Sequence, residues 1–149
     1  MMQETELKEL FAQGVAAVDG GDTMNGLLCL EKTGDVFRDN PIFCSYLAVC
    51  LANERQEFDS AIRLCKDSIA INPKNSLHYL NLGRVYLAAE EKKEAIRAFR
   101  NGLLYGRNEL IQTELKMLGW RKPPVIPVLE RSHPLNVFLG RMSTRLHLR

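Results

Sequence analysis

The sequence lacks the short motifs by which common catalytic and metal sites are recognised. Its three histidines, His78, His133 and His147, form neither an H-x-x-x-H nor an H-E-x-x-H pattern. There is also no glycine-rich phosphate loop, no G-x-S-x-G elbow and no pair of closely spaced cysteines. The sequence therefore predicts no catalytic residue, no metal site and no cofactor, and we expect a protein that is not an enzyme.

Long apolar runs are lacking as well. None approaches the roughly 20 residues that a membrane-spanning helix needs, and the acidic start MMQETELKEL does not resemble a secretory signal. The four cysteines, Cys29, Cys44, Cys50 and Cys65, form no C-x-x-C pair and lie within apolar helical patterns. This placement is typical of buried free thiols in a reducing compartment, and it predicts a cytoplasmic protein.

The charges of this 149-residue chain are unevenly distributed. Hydrophobic residues make up 46% and charged residues 26% of it, as in an ordinary globular protein. Residues 1–106 contain 12 Lys and Arg against 15 Asp and Glu, a net charge of −3. Residues 107–149 contain 8 against 3, a net charge of +5. The sequence thus predicts a mildly acidic body followed by a basic tail.

The clearest pattern is a pair of amphipathic segments between residues 76 and 108. Apolar residues recur at three- and four-residue steps from Tyr79 to Leu87 and again from Ala95 to Leu103, and four charged residues, 90–93, separate the two runs. This spacing predicts two helices joined by a short turn. Because two such helices cannot bury their apolar faces alone, the unit requires similar neighbours.

The sequence contains two further copies of this unit. Alignment of Gly14 and Ala48 with Gly83 divides residues 7–109 into the units 7–40, 41–75 and 76–109, with lengths of 34, 35 and 34 residues. In each unit a small residue is followed, sixteen or seventeen residues later, by an apolar one: Leu30, Cys65 and Phe99. A repeat of this length predicts a stack of helix pairs.

In these residues the chain resembles the tetratricopeptide repeat family. The third unit matches best, through Leu82-Gly83, Tyr86, Ala95 and Phe99, and the second unit retains Leu47-Ala48, Ala61 and Asn72-Pro73. The resemblance implies an all-α fold in which three helix pairs form a right-handed α-α superhelix. It is specific for the fold but weak for function, because such repeats bind many unrelated partners.

Two further segments follow the repeats. Residues 109–118 have the pattern of an amphipathic helix that caps the stack, so we assign 1–118 to a helical repeat domain. Residues 119–149 form the basic tail, and residues 120–134 contain four of the six prolines of the chain. We expect an extended arm there, followed by a short amphipathic helix near the C-terminus.

The resemblance also implies a concave groove lined by the first helix of each pair. By alignment the groove residues are Phe11, Val15, Val18, Ile42, Ser45, Val49, Asn53, Leu77, Leu80, Arg84 and Leu87. Most are apolar, and the alternative that some of them belong to the core stays open. Family members that clamp the acidic C-terminus of heat-shock chaperones carry Lys and Asn where this chain has Phe11, Val15 and Tyr46, so we expect no carboxylate clamp.

These observations predict a non-catalytic protein–protein interaction module: an adaptor, assembly factor or co-chaperone-like protein that binds an extended or helical peptide in the groove. The tail is a second candidate for occupying this groove, in its own chain or across a homodimer, through the residues Trp120, Val125, Ile126, Val128, Leu129 and Phe138. Packing of the tail elsewhere on the body, or a tail that is free until a partner binds, remain alternatives. Two other functions also stay open: a bacterial secretion-type chaperone, and weak binding of nucleic acid or anionic membrane by the basic tail, which its few Lys and Arg disfavour.

Overall fold

The computed structural model describes residues 2–119 together with residues 134, 135, 137 and 139. Its helices are α1 (Glu4–Asp19), α2 (Thr23–Phe37), α3 (Pro41–Arg55), α4 (Phe58–Ile71), α5 (Ser76–Ala88), α6 (Lys92–Leu103) and α7 (Glu109–Met117). Within the described ranges there is no strand, so the predicted all-α class is confirmed. None of the helices described is both long and apolar enough to span a bilayer.

The chain divides into two compact units, Met1–Met117 and Leu118–Arg149. In the second unit the four residues that the structure describes, Pro134, Leu135, Val137 and Leu139, are helical. The predicted extended arm and the six tail-docking residues, Trp120, Val125, Ile126, Val128, Leu129 and Phe138, lie outside the described residues.

Side-chain caps fix where the helices begin. The Asn40 and Asn75 carboxamide oxygens accept hydrogen bonds from the Ile42 and Leu77 amides at 2.9 and 3.0 Å. Asp22 caps α2 in the same way through the Asn25 amide at 3.1 Å. Each cap satisfies a backbone donor that the first helical turn leaves unpaired. The helices α3 and α5 therefore begin at Pro41 and Ser76, the first residues of the second and third sequence units.

The turn inside each pair contains one residue in the left-handed region. It is Gly21 (φ +88°) in the first pair, Gln56 (φ +56°) in the second and Glu90 (φ +62°) in the third. Each directly precedes the residue that caps the second helix of its pair. Such a residue ends the first helix and reverses the chain, which glycine does without steric cost and a side chain does less easily.

The helices form two layers. Each first helix packs against the second helix of its own pair, and α3 lies between α1 and α5. The second helices α2 and α4 also contact the first helix of the following pair, and α7 packs on α6. One layer therefore consists of α1, α3 and α5, and the other of α2, α4 and α6.

The two layers approach most closely at small residues. A Cβ atom on Gly83 would lie 2.2 Å from Phe99 Cε1, and one on Gly14 would lie 3.3 Å from Leu30. In the second pair the corresponding residues Ala48 and Cys65 are fully buried. In the first and third pairs the small residue of the first helix thus lies against the apolar side chain of the second helix. The aligned residues of the second pair are buried as well.

We predict that Gly83→Ala lowers the free energy of unfolding by about 2 kcal/mol, because the added methyl overlaps the buried Phe99 ring and the overpacking exceeds the gain in helix propensity. Gly34→Ala is the matched control: its Cβ would lie 3.7 Å from Phe43 Cζ, an ordinary contact within α2. We expect Gly34→Ala to raise the free energy of unfolding by about 0.5–1 kcal/mol. Chemical denaturation measures both values, and equal effects would contradict the close approach at Gly83.

Candidate binding face

The structure separates the predicted groove residues into three groups. Four are buried and belong to the core: Val18, Ser45, Val49 and Leu80. Six are partly exposed: Phe11, Val15, Ile42, Leu77, Arg84 and Leu87. Asn53 is exposed. A peptide that lies along the first helices would therefore meet the second and third groups.

Phe11 has a packing role in addition to its partial exposure. Its ring is stacked on that of Phe37 with a centroid separation of 4.8 Å and lies 6.1 Å from that of Phe43. These three rings belong to α1, α2 and α3. Because stacked aromatic pairs contribute beyond their buried area, Phe11 joins the first pair to the second.

A chain of polar contacts crosses the layer of first helices. The Arg84 Nη1 donates to Asp19 Oδ1 at 2.7 Å, and the Arg84 Nε donates to Glu114 Oε1 at 3.3 Å. The Tyr46 hydroxyl donates to Asp19 Oδ2 at 3.1 Å. Through these contacts α5 is connected to α1 at one side and to α7 at the other, with α3 contributing the hydroxyl between them.

The charged side chains in this series of contacts differ in their exposure to solvent. The Arg84 side chain is only 10% exposed, whereas those of Asp19 and Glu114 are 27% and 21% exposed. The Tyr46 side chain is buried, and burial together with the Asp19 carboxylate raises the pKa of Tyr46. The largely buried Arg84 guanidinium therefore lies between two partly exposed carboxylates. The net charge of these three side chains is −1.

Asp19 and Glu114 are absent from the predicted groove set, although the repeat alignment contained a signal for both. Asp19 occupies in the first unit the position that Asn53 occupies in the second. Glu114 follows its cap Asn108 by six residues, as Asn81 follows Asn75. Asn53 belongs to the predicted groove set, so its equivalent Asp19 follows from the repeat alignment. Asn81 does not belong to that set, so Glu114 follows only from its alignment with a polar residue of α5.

A second polar cluster is buried between α3 and α5. The Ser45 hydroxyl donates to the Ile42 carbonyl at 3.1 Å and accepts from Asn81 Nδ2 at 3.2 Å. His78 Nδ1 lies 3.2 Å from the same hydroxyl oxygen. His78 Nε2 is buried and has no hydrogen-bond partner among the described residues, and burial lowers the pKa of His78.

The cysteines do not form a reactive or metal-binding group. All four are free thiols. Burial raises the pKa of Cys50 to about 12 and shifts the pKa of Cys65 in the same direction. Within residues 2–119 and the few described beyond them, no group of three or more His, Cys, Asp or Glu side chains could hold a metal ion.

Residues 52–116 match the family model described as tetratricopeptide repeat. The match covers the end of α3, the helices α4 to α6 and most of α7. This part of the chain therefore consists of tetratricopeptide repeats. No curated protein matches it in sequence.

Solved tetratricopeptide repeat domains share this fold at low sequence identity. The first domain of Spaghetti (RPAP3), bound to the HSP90 peptide SRMEEVD, has a TM-score of 0.55 and 19% identity over 79% of this chain and 96% of that domain. The Sgt2 domain from Aspergillus fumigatus has a TM-score of 0.56 and 18% identity over 87% and 92%. The Arabidopsis OM64 domain has a TM-score of 0.54 and 22% identity over 76% and 93%. These similarities confirm the helical-repeat superhelix.

We predict that the stability of this protein falls as the pH is lowered below about 6.5. His78 is buried as the neutral ring and its pKa is lowered, so the unfolded chain binds a proton more readily than the folded one. The contribution is fully present above the pKa of the unfolded state and is lost as the pH falls from there through that of the folded state. Denaturation between pH 7.5 and 5.5 measures this slope.

His78→Phe should remove most of that slope, whatever its effect on stability at neutral pH. His133→Gln together with His147→Gln is the control and should retain it. An unchanged slope in the His78 variant would contradict the assignment of the titration to this buried ring.

We also predict that Arg84→Met lowers the free energy of unfolding by about 2–3 kcal/mol, because it leaves two partly buried carboxylates without their cation. The Lys8–Glu4 pair on α1, with side chains 61% and 75% exposed, provides a control. Lys8→Met should cause no measurable change, since solvent screens an exposed pair. Equal effects in chemical denaturation would show that the Arg84 contacts do not support the fold.

Proposed function

We propose that the chain is a non-catalytic, cytoplasmic adaptor or assembly factor that binds a peptide segment of another protein along the α1, α3 and α5 face. The observation that carries this proposal is the row of partly exposed apolar side chains on successive first helices, Val15, Ile42, Leu77 and Leu87. Apolar side chains of this kind supply affinity when a partner covers them. The fold supports the general proposal of peptide binding, because structurally similar domains have been solved with bound peptides.

The polar residues of this face have different roles in the proposal. Asn53 is exposed, and its amide nitrogen donates to the Val49 carbonyl at 2.8 Å, so its carboxamide oxygen can accept a hydrogen bond from a peptide. Arg84 is engaged by Asp19 and Glu114 and holds the first helices together. In this proposal Arg84, which the sequence places in the groove, therefore acts by holding the first helices together.

The tail is a candidate for the same face. Residues 120–149 contain six Lys and Arg and one Glu, whereas residues 1–119 contain 14 Lys and Arg and 17 Asp and Glu. These counts correspond to net charges of +5 and −3. Opposite net charges favour association, and the prolines of residues 120–134 reduce the entropy lost on docking. We propose docking of the tail in its own chain, or in a second copy, as the self-occupied form of this module.

Site-specific photo-crosslinking of the full-length protein tests the proposal. A benzophenone amino acid at Asn53 probes the proposed face, and the same group at Asp59, an exposed residue of α4, is the matched control. In cells that express the protein naturally, we expect a discrete cross-linked product from position 53 and none from position 59. Mass spectrometry of the product identifies the captured peptide.

The identity of the captured peptide decides between the forms of the proposal. A peptide from another protein supports the adaptor. A peptide from residues 120–149 supports the self-occupied form, and the mass of the product distinguishes a monomer from a dimer. Equal products at positions 53 and 59 would contradict binding on the α1, α3 and α5 face.

A further inference from the structure

The charges between α1, α5 and α7 determine which peptides this face can accept. The guanidinium of Arg84 is covered, and its Nη1 and Nε are directed to Asp19 and Glu114. At Nη1 and Nε a negatively charged ligand would have to displace one of these carboxylates. The displaced carboxylate would then lie unpaired beside a ligand of the same sign. Both costs oppose the binding of an acidic peptide.

A positively charged ligand meets the opposite situation. The two carboxylates keep about a quarter and a fifth of their side-chain surface exposed and share a single cation. A second cation can hydrogen-bond to their free oxygen lone pairs while the existing contacts with Arg84 are kept. It would also neutralise the remaining negative charge, so charge complementarity favours a basic side chain here.

Exposed apolar side chains lie next to this charge on α7. Leu110 is four residues before Glu114 and Met117 is three residues after it, so all three lie on one face of the helix. Leu110 is 36% and Met117 77% exposed. This side of α7 thus has an acidic residue at its centre and an apolar residue about one turn away in each direction. Lys and Arg fit such a surface because their long apolar stems pack while the charged group reaches the carboxylate.

From these contacts we infer that the face accepts a partner peptide with a Lys or Arg side chain flanked by apolar residues. Asp19 and Glu114 bind this basic side chain, and the face rejects acidic peptides. The inference rests on the proposed function and names the chemistry of its ligand. It distinguishes this chain from the structurally similar first domain of RPAP3, which was solved with the acidic peptide SRMEEVD. The fold is shared, but the accessible charge on this face is negative.

Selection from a random peptide library against the full-length protein tests the inference. We expect Lys or Arg beside apolar residues among the peptides bound by the wild type. Asp19→Asn with Glu114→Gln keeps an acceptor oxygen at each position but leaves Arg84 as the only charge. This variant should bind the selected basic peptides about tenfold more weakly, and its own selection should shift towards acidic peptides. Glu114→Gln alone tests the same point with a smaller change.

The matched control is Glu57→Gln with Asp59→Asn, which removes the same number of negative charges from exposed positions next to and within α4. It should select the same basic peptides as the wild type.

Retention of basic selection by the Asp19 and Glu114 variants would overturn the inference, and so would a wild-type selection of apolar peptides without Lys or Arg. If the wild type selects no peptide, the proposed function itself fails. Tighter binding of a synthetic peptide of residues 134–149 than of any selected sequence would make the chain's own tail the occupant and overturn the assignment to a separate partner.

Discussion

The close approach of the two helices in each pair is the constraint on which the rest of the structure depends. At Gly83 the backbone of α5 is so near the Phe99 ring that no side chain fits between them. The two helices of a pair cannot cover all of each other's apolar surface, and the remainder must be covered by the next pair. The repeated small and large residues consequently determine the spacing within a pair and also the stacking of one pair on the next.

The regular stacking brings distant residues into contact across the layer of first helices. Asp19 and Arg84 are 65 residues apart, yet their side chains are 2.7 Å apart, because α1, α3 and α5 lie side by side. The Tyr46 hydroxyl of α3 donates to the same carboxylate. A mutation in the core of the second pair would therefore disturb charges contributed by the first and third pairs. Stability and the accessible charge on this face are coupled through Arg84.

Much of the fold could be predicted because its signals are local. Asn40-Pro41 and Asn75 mark helix starts by the chemistry of their own side chains, and the structure places α3 and α5 there. The exposure of the groove residues was harder to predict, since a first helix has neighbours on several sides. Val49 shares its repeat position with the partly exposed Val15 and Arg84 but is buried. Leu80 is likewise buried, although its equivalent Phe11 is partly exposed. Sequence spacing fixes the direction of a side chain and cannot show how far a neighbouring helix covers it.

The same reasoning explains why the ligand cannot be deduced from the fold. Residues that hold the helices together, such as Gly83 and Phe99, follow the repeat pattern, whereas the accessible charge depends on Asp19 and Glu114, which the pattern leaves free. In a domain of this type an uncovered cation on the first helices would attract an anionic peptide. Here the cation is already paired with two carboxylates, and these remain partly exposed. Reversal of ligand preference thus requires no change in the backbone, because pairing within the chain is sufficient to change which sign of charge a partner meets.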